Sequence, residues 1–508
     1  MISVIKLKDY ALITRRQFLK TAAAGAAWMS LTRSLTAQQS QRPNILWIIA
    51  EDASPHLSCY GETTIQTPNL DRLASEGVRF TNAFVTAPVC SPSRSAMITG
   101  MYQSVIGAHN HRSQREEGKG AGNSIYLPSY PLPETVQMIP EYFQDAGYFT
   151  VNGGPKSSNL DGVELGKGDY NFVWDTSVYD SGDWSAREDG QTFFAQIQLQ
   201  GGKKRGAKVK NPVNPDDVKL PPYYPDHPVM RKDWAEYLNS IISMDDDVGE
   251  ILNRLDSEGI SDNTVVFFMT DHGISHLRGK QFLYDEGIRV PLIVRWPGKI
   301  QPGTVNEDLV LQIDLAPTSL KLAGLPVPDH LQGIDLFDEN IAAREHIVST
   351  RHRCDETIEN MRCVRTKRFK YILNYYPNRP HLQPNRYKDG KEPTQLYRRL
   401  YAENNLTELQ ATMLRPQRPA EELYDLREDP YETVNLIGEH AYQDVLMDLR
   451  QRYSEWLTES GDLGLIPEPI LEEMGLEHGS KYAINKTEFY PQLLNDIRLV
   501  HDIGGLGR

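Results

Sequence analysis

Residues 44–52 read NILWIIAED. The apolar run from Ile45 to Ala50 has neither the alternation of a half-exposed strand nor the length of a helix, so it reads as a strand buried on both faces of a parallel sheet. Glu51 and Asp52 then stand where the chain leaves the core. TPNLDRLASEGVRF follows from Thr67, with Thr67 as N-cap, Pro68 at the first helical position and Gly77 as the stop. Val78 to Phe84 returns to an extended pattern. Much later, the spacing of Trp234, Tyr237, Ile241, Met244, Val248, Ile251 and Leu255 predicts a helix closed by Gly259. NTVVFFMT is a second buried strand, ending in Asp271, His272 and Gly273. In a doubly wound sheet the carboxyl ends of parallel strands share one edge, where ligands bind, so the two acidic strand ends are expected to converge.

Helix, strand and turn signals alternate to about Leu336, which predicts an α/β domain with helices on both faces of a sheet, over residues 43–343. The Gly- and Pro-rich segments from Gly153 to Gly168 and from Gly201 to Pro228 read as long surface loops. After Arg344 the pattern changes to short strands, HIVST, MRCVRT and FKYILNYY, with a polar, Pro-studded insertion around Pro377 to Pro419. This predicts a smaller α+β domain over residues 344–508.

The first residues carry TRRQFLK at Thr14 to Lys20, a short apolar run, and LTA ending at Ala37. That order reads as a twin-arginine export signal over residues 1–37, which makes a twin-arginine translocase a partner and a periplasmic or secreted location the expectation. No other apolar run approaches the roughly 20 residues needed to span a bilayer. The net charge of -14 argues against general nucleic-acid binding. There are four cysteines, Cys59, Cys90, Cys354 and Cys363. An oxidising compartment allows Cys354 and Cys363 to pair, although spacing alone does not fix connectivity, and the lack of a CxxC pair argues against structural zinc.

One cysteine has a distinctive setting, in APVCSPSRSAMITG from Ala87 to Gly100. Ser91 can cap a helix whose first residue is Pro92, placing Cys90 just outside a helix N-terminus, where free backbone N–H groups favour an anion. Arg94, one turn in, adds a planar fork suited to a tetrahedral oxyanion.

Cys-x-Pro-Ser-Arg is the motif of type I sulfatases, and the sequence resembles that family along most of its mature length. RPNILWIIAED, TPNLDRLASEGVRFTNAF, CSPSRSAMITG, NTVVFFMTDHG, RGKQFLYDEGIRVPLIVRWPG and ELYDLREDPYETVNL carry the resemblance in order. It implies an alkaline-phosphatase-like doubly wound mixed sheet, a small C-terminal domain with an antiparallel sheet, and calcium-dependent hydrolysis of sulfate esters. It also implies that a maturation enzyme oxidises Cys90 to formylglycine (3-oxoalanine). The hydrated aldehyde offers two hydroxyls on one carbon, one to attack sulfur and displace the alcohol, the other to expel sulfate.

By the same resemblance Glu51, Asp52, Asp271 and His272 fall at the metal-ligand positions, with the residue derived from Cys90 completing the set. Glu51 replaces the more usual Asp, and His272 stands where many members have Asn, which leaves the metal preference more open than hard oxygen ligands alone would. Lys280 matches the family's Lys or Arg directed at the sulfate and the leaving oxygen. A second family lysine matches Lys167, by the pattern GKGDYNF, in preference to Lys156. Many members place a general-acid His after an FFA-type strand, whereas FFAQIQLQGGKKR offers Gln198, Gln200, Lys203 and Lys204, leaving Lys280, His276 or another His as the donor.

Two further clusters are candidates for reading a substrate. GAHNHRS supplies His109 and His111, and TRHRCDET supplies His352, Arg353 and Asp355. Cationic groups in an acidic protein gather an anionic substrate, and a carboxylate binds sugar hydroxyls. Local phrases are similar to carbohydrate-directed bacterial members, some of them similar to N-sulfoglucosamine sulfohydrolases, so the expected substrate is a sulfated mono- or oligosaccharide. A phosphodiester or phosphonate hydrolase of the same superfamily and a non-catalytic binder of sulfated glycans remain as alternatives.

Overall fold

The run at 44–50 is an inner strand of a seven-stranded sheet in the computed structural model, fully buried along its length. The strands are β1 (Asn44–Ala50), β2 (Val78–Phe84), β3 (Phe149–Gly153), β4 (Phe193–Leu199), β5 (Thr264–Thr270), β6 (Arg289–Arg295) and β7 (Thr304–Leu311), in the order β3-β4-β1-β5-β6-β2-β7. Neighbours pair in parallel except at β6, which runs antiparallel to both β5 and β2. The structure describes residues 42–111, 131–155 and 165–479, with 481, 484, 487, 490–493 and 495 beyond them. The segment 1–37, read as an export signal, and Lys156 lie outside the described residues.

Helix Pro68–Glu76 packs on helix Pro228–Ser257, while helix Cys90–Thr99 packs on Ile139–Asp145 and Leu315–Leu322. These two groups are the layers expected of a sheet covered on both faces. All seven residues of the predicted stripe from Trp234 to Leu255 are buried in Pro228–Ser257, and Gly259 takes φ +67° just past its end. Pro68 opens its helix as expected, but the Thr67 hydroxyl does not cap it; Ser58 and Asp71 claim that oxygen instead.

A second sheet of four antiparallel strands, β8 (Ile347–Arg351), β9 (Met361–Arg365), β10 (Phe369–Asn374) and β11 (Glu421–Asp425), has the order β11-β10-β9-β8. Helix Gln443–Ser460 packs against β9 and β10. Cys354 and Cys363 are both free, as are the other two cysteines. The segment 201–228 is not simply a surface loop. Tyr223 and Tyr224 are buried, and both hydroxyls donate to the Glu286 carboxylate. No helix among the described residues is long and apolar enough to cross a membrane.

Candidate active site

β1 and β5 are adjacent, parallel and in register, with Ala50 opposite Thr270. Glu51-Asp52 and Asp271-His272 therefore emerge side by side at one sheet edge. The Asp52 amide donates to Asp271 Oδ1 at 3.2 Å, and Asp52 itself takes φ +54°, a left-handed bend that turns the chain at the strand end. Gly201, with φ +49°, backs this corner so closely that a Cβ there would meet the Glu51 carbonyl oxygen at 2.4 Å.

Cys90 reaches the same edge from the opposite element. Its helix starts two residues earlier than the sequence suggests: Val89 is extended and Cys90 is already helical. Ser91 is not the cap, because its hydroxyl is drawn sideways to Asn171 Oδ1 at 3.0 Å and to His111 Nδ1. The Cys90 sulfur lies 3.1 Å from His272 Nε2 and 3.0 Å from Lys280 Nζ. Burial pushes this thiol up, but Lys280, Lys167 and His272 outweigh it, and the net shift is below the ordinary thiol value.

Arg94 is the buried anchor of the site. Its Nε donates to Asp271 Oδ2 at 3.0 Å and its Nη1 to Gln198 Oε1 at 2.7 Å. Its Nη2 is buried with no hydrogen-bond partner. A buried guanidinium N–H left without an acceptor is costly unless something anionic meets it, so it marks a place for an oxyanion.

His272 Nδ1 faces the Gly273 carbonyl at 2.8 Å. Burial lowers this imidazole, but Asp271 and Cys90 outweigh it and raise it above its ordinary value; since a carbonyl only accepts, Nδ1 carries a proton and Nε2 is the nitrogen turned inward. There it lies 3.3 Å from Asp52 Oδ1 and 3.6 Å from Asp271 Oδ1, with ligand atoms of Asp52, Cys90 and His272, and of Glu51, Cys90 and Asp271, within 4.8 Å of one another. Convergent acceptors of this kind fit a cation, and a mainly carboxylate set fits a hard one. Burial raises the carboxyls of Asp52 and Asp271, yet Lys280 and His272 at Asp52, and His272 and Arg94 at Asp271, hold both below the ordinary value.

Lys280 Nζ lies 3.0 Å from Asp52 Oδ1, and Lys167 Nζ lies 2.6 Å from Glu51 Oε2. Lys203 Nζ meets the same Glu51 oxygen at 2.9 Å. The sequence offered Lys203 only as a residue after the β4 strand; that position, beside β1 at the same edge, was its one signal. Gln198 is committed to Arg94 and Asn152. His276 is no neighbour of Cys90: it packs against Tyr224 and Trp234, 2.9 Å from Asp233.

The substrate clusters separate. His111 stays beside the Cys90 helix, bonded to Ser91 and 4.0 Å from Asp355 Oδ2. Asn171 Nδ2 donates to the carbonyls of Ala108 and Asn110, so its Oδ1 accepts from Ser91, and Ser91 in turn accepts from His111 Nδ1. His109 and His352 do not join them. Both are buried with ring centroids 4.5 Å apart, and a Cβ on Gly464 would meet His352 Nε2 at 2.0 Å, so tight packing encloses the pair and the geometry gives no support to substrate contact. Arg353 turns to Glu468, its Nε 2.5 Å from the carboxylate, and is likewise committed elsewhere.

Comparison with known proteins follows the same residues. The Sulfatase family profile matches residues 43–325, and a second, N-sulphoglucosamine sulphohydrolase, C-terminal, matches residues 272–419. An ulvan-active sulfatase of Formosa agariphila is 33% identical over 477 residues, covering 85% of this chain and 77% of its own. The N-acetylgalactosamine-6-sulfatase of Homo sapiens is 29% identical, covering 60% of this chain and 67% of its own. Among solved structures, one in complex with its substrate D-glucosamine-2-N,6-O-disulfate superposes with TM-score 0.56 at 19% identity, over 83% of this chain and 98% of the other. The phosphonate monoester hydrolase of Agrobacterium radiobacter superposes with TM-score 0.59 at 18% identity, over 84% and 97%. These two likenesses speak for the fold, which is the alkaline-phosphatase-like one the sequence implied. With a family profile spanning more than half its length and a relative one-third identical across most of it, the chain belongs to the sulfatase family of sulfuric ester hydrolases.

Proposed function

We propose that the protein is an exported carbohydrate sulfatase that works through a formylglycine made from Cys90 and a bound calcium ion. The observation that carries this reading is the convergence of Lys280 and His272 on the Cys90 sulfur, with a buried Arg94 on the same helix whose Nη2 has no hydrogen-bond partner. The likeness to an ulvan-active sulfatase and an N-acetylgalactosamine-6-sulfatase, and to a solved structure in complex with its substrate D-glucosamine-2-N,6-O-disulfate, supports a sulfated saccharide as substrate. Residues 43–343 then form the catalytic domain and 344–508 the smaller one.

Formylglycine supplies a hydrated aldehyde as nucleophile, and calcium supplies positive charge at the nucleophile and the sulfate. Glu51, Asp52, Asp271 and the Nε2 of His272 would hold the ion. The remaining steps fall to the chain's other side chains. Arg94 Nη2 binds a sulfate oxygen and is kept in line by Asp271 and Gln198. Lys280, held charged by Asp52 and Cys90 despite burial, stabilises the negative charge that develops on the leaving oxygen. Lys167 balances the charge on Glu51. His111 and Asp355, beside Ser91, are the pair placed to hold sugar hydroxyls.

Cys90 is 5% exposed inside a packed helix, so its oxidation must precede closure of the core. A twin-arginine route, which exports folded proteins, fits maturation in the cytoplasm. The reading is tested by comparing aryl sulfate with aryl phosphate and phosphonate, then defined O- and N-sulfated sugars. Faster phosphate or phosphonate turnover would sink it, and the match of residues 272–419 to an N-sulphoglucosamine sulphohydrolase region is the reason to keep N-sulfates in the panel. For the metal, Asp52→Ala should weaken calcium binding at least about tenfold by calorimetry; unchanged affinity removes Asp52 from the ligand set.

A further inference from the structure

The polar insertion between 377 and 419 brings a short helical turn, Arg386–Asp389, to the mouth of the site. Lys388 is buried and donates to the His276 carbonyl at 2.8 Å, while the buried Asn385 amide donates to Thr357 Oγ1 at 2.9 Å. Tyr387, between these anchors, is therefore held in place although it is 38% exposed. Its hydroxyl lies 3.5 Å from Asp52 Oδ2 and 3.0 Å from Ser275 Oγ. Its ring lies 5.0 Å from Lys280 Nζ and 4.4 Å from Lys391 Nζ, so it separates a reaction-centre lysine from a second one.

Lys391 is unusual in the company it keeps. Its ammonium donates to Ser275 Oγ at 2.7 Å, to the Ser275 carbonyl at 3.2 Å and to the Tyr387 hydroxyl at 3.3 Å. All three acceptors are neutral. Beyond Lys391 opens a cavity of about 240 Å³ lined also by Arg205, Lys232, Asp233 and Glu236. Its other charges already answer one another. Asp233 lies 2.9 Å from His276 and 3.6 Å from Arg205, and Glu236 lies 3.7 Å from Lys232. The exposed Glu392 sits at the rim. The Asp52 and Asp233 carboxylates feel the charge of this ammonium, but its hydrogen bonds all go to neutral groups, so beside the polar cavity it is suited to an incoming anionic group.

We propose that this cavity is a second saccharide subsite, which receives an anionic unit next to the sulfated one. Lys391 contacts the carboxylate or second sulfate of that unit, and Tyr387 is the wall between the two sugars. The inference rests on the sulfatase reading and extends it, making the substrate an anionic oligosaccharide rather than a lone sulfated sugar. It also gives the insertion a task, since both residues come from it.

Disaccharides that share one sulfated unit and differ only in the neighbour, a neutral hexose, a uronic acid or a sulfated hexose, test this directly. The expected result is a kcat/KM about tenfold higher with an anionic neighbour. That preference should fall toward one in Lys391→Met and persist in Lys391→Arg, and the anion that gains more identifies the chemistry of the unit. Equal values for neutral and anionic neighbours, or a preference that survives Lys391→Met, would overturn the subsite. Calorimetry with the desulfated uronate disaccharide runs in parallel and needs no turnover. Binding tighter than that of its neutral counterpart, and lost in Lys391→Met, upholds the subsite even if no sulfate is released, an outcome that would count against the sulfatase reading alone.

Discussion

Cys90→Ala is expected to lower sulfate-ester turnover by on the order of 10⁴-fold or more while leaving the fold in place. The change removes one sulfur from a helix in which alanine is the best former, and a buried cysteine packs as a small hydrophobe. What is lost is chemical. Lys280 and His272 keep Asp52 and Asp271 as partners, but nothing remains for them to act on. Stability should therefore change by no more than about 1 kcal/mol. Initial rates on an aryl sulfate, measured beside the melting temperature, separate the two effects. A variant that keeps substantial activity would refute Cys90 as the source of the nucleophile.

Arg94→Met should be damaging in both respects. Arg94 and Asp271 form an ion pair at 3.0 Å, with side chains 2% and 0% exposed. Removing one member of such a pair leaves a buried charge without its partner, at a cost of about 3–5 kcal/mol. Gln198 Oε1 loses its donor as well. Loss of the Nη2 contact should also reduce kcat/KM by about 10²- to 10³-fold per folded molecule, the usual effect of deleting one oxyanion donor. Arg94→Lys keeps the charge but not the fork, so it should recover part of the stability and little of the rate. Denaturant unfolding and kinetics on both variants decide the matter. A destabilised Arg94→Met enzyme with an undiminished rate per folded molecule would make the arginine structural only.

The sequence carried the frame of this site because its strands are strongly marked. NILWIIA and NTVVFFMT are apolar throughout and each ends abruptly in acidic residues, so burial and the sheet-edge rule place both ends together. That Ala50 would stand opposite Thr270 in direct register could not be read, since pairing is a choice among strands. Cys90 and Arg94 were legible through their motif, but the helix start was not: Ser91 looked like a cap, and its hydroxyl went instead to Asn171 and His111, partners distant in sequence. His109 and His111 looked like one cluster, and the turn ending in a single bridge between His111 and Cys354 sends one ring inward to His352 and the other to Ser91. Lone lysines carry little signal of their own, so Lys203 was marked only by its position after β4, and Lys391 emerged only from three-dimensional placement. Tyr387 sits in a polar insertion whose composition says surface, and only the buried anchors Asn385 and Lys388 fix it at the site.

The central claim is that Cys90 works as something other than a thiol. The mass of the proteolytic peptide spanning Cys90, taken from protein isolated from its natural host after folding and export, tests it most directly. The account predicts an aldehyde at this position, seen as formylglycine or its hydrate and trapped by an amine or hydrazide reagent. An unmodified thiol in active enzyme would contradict it.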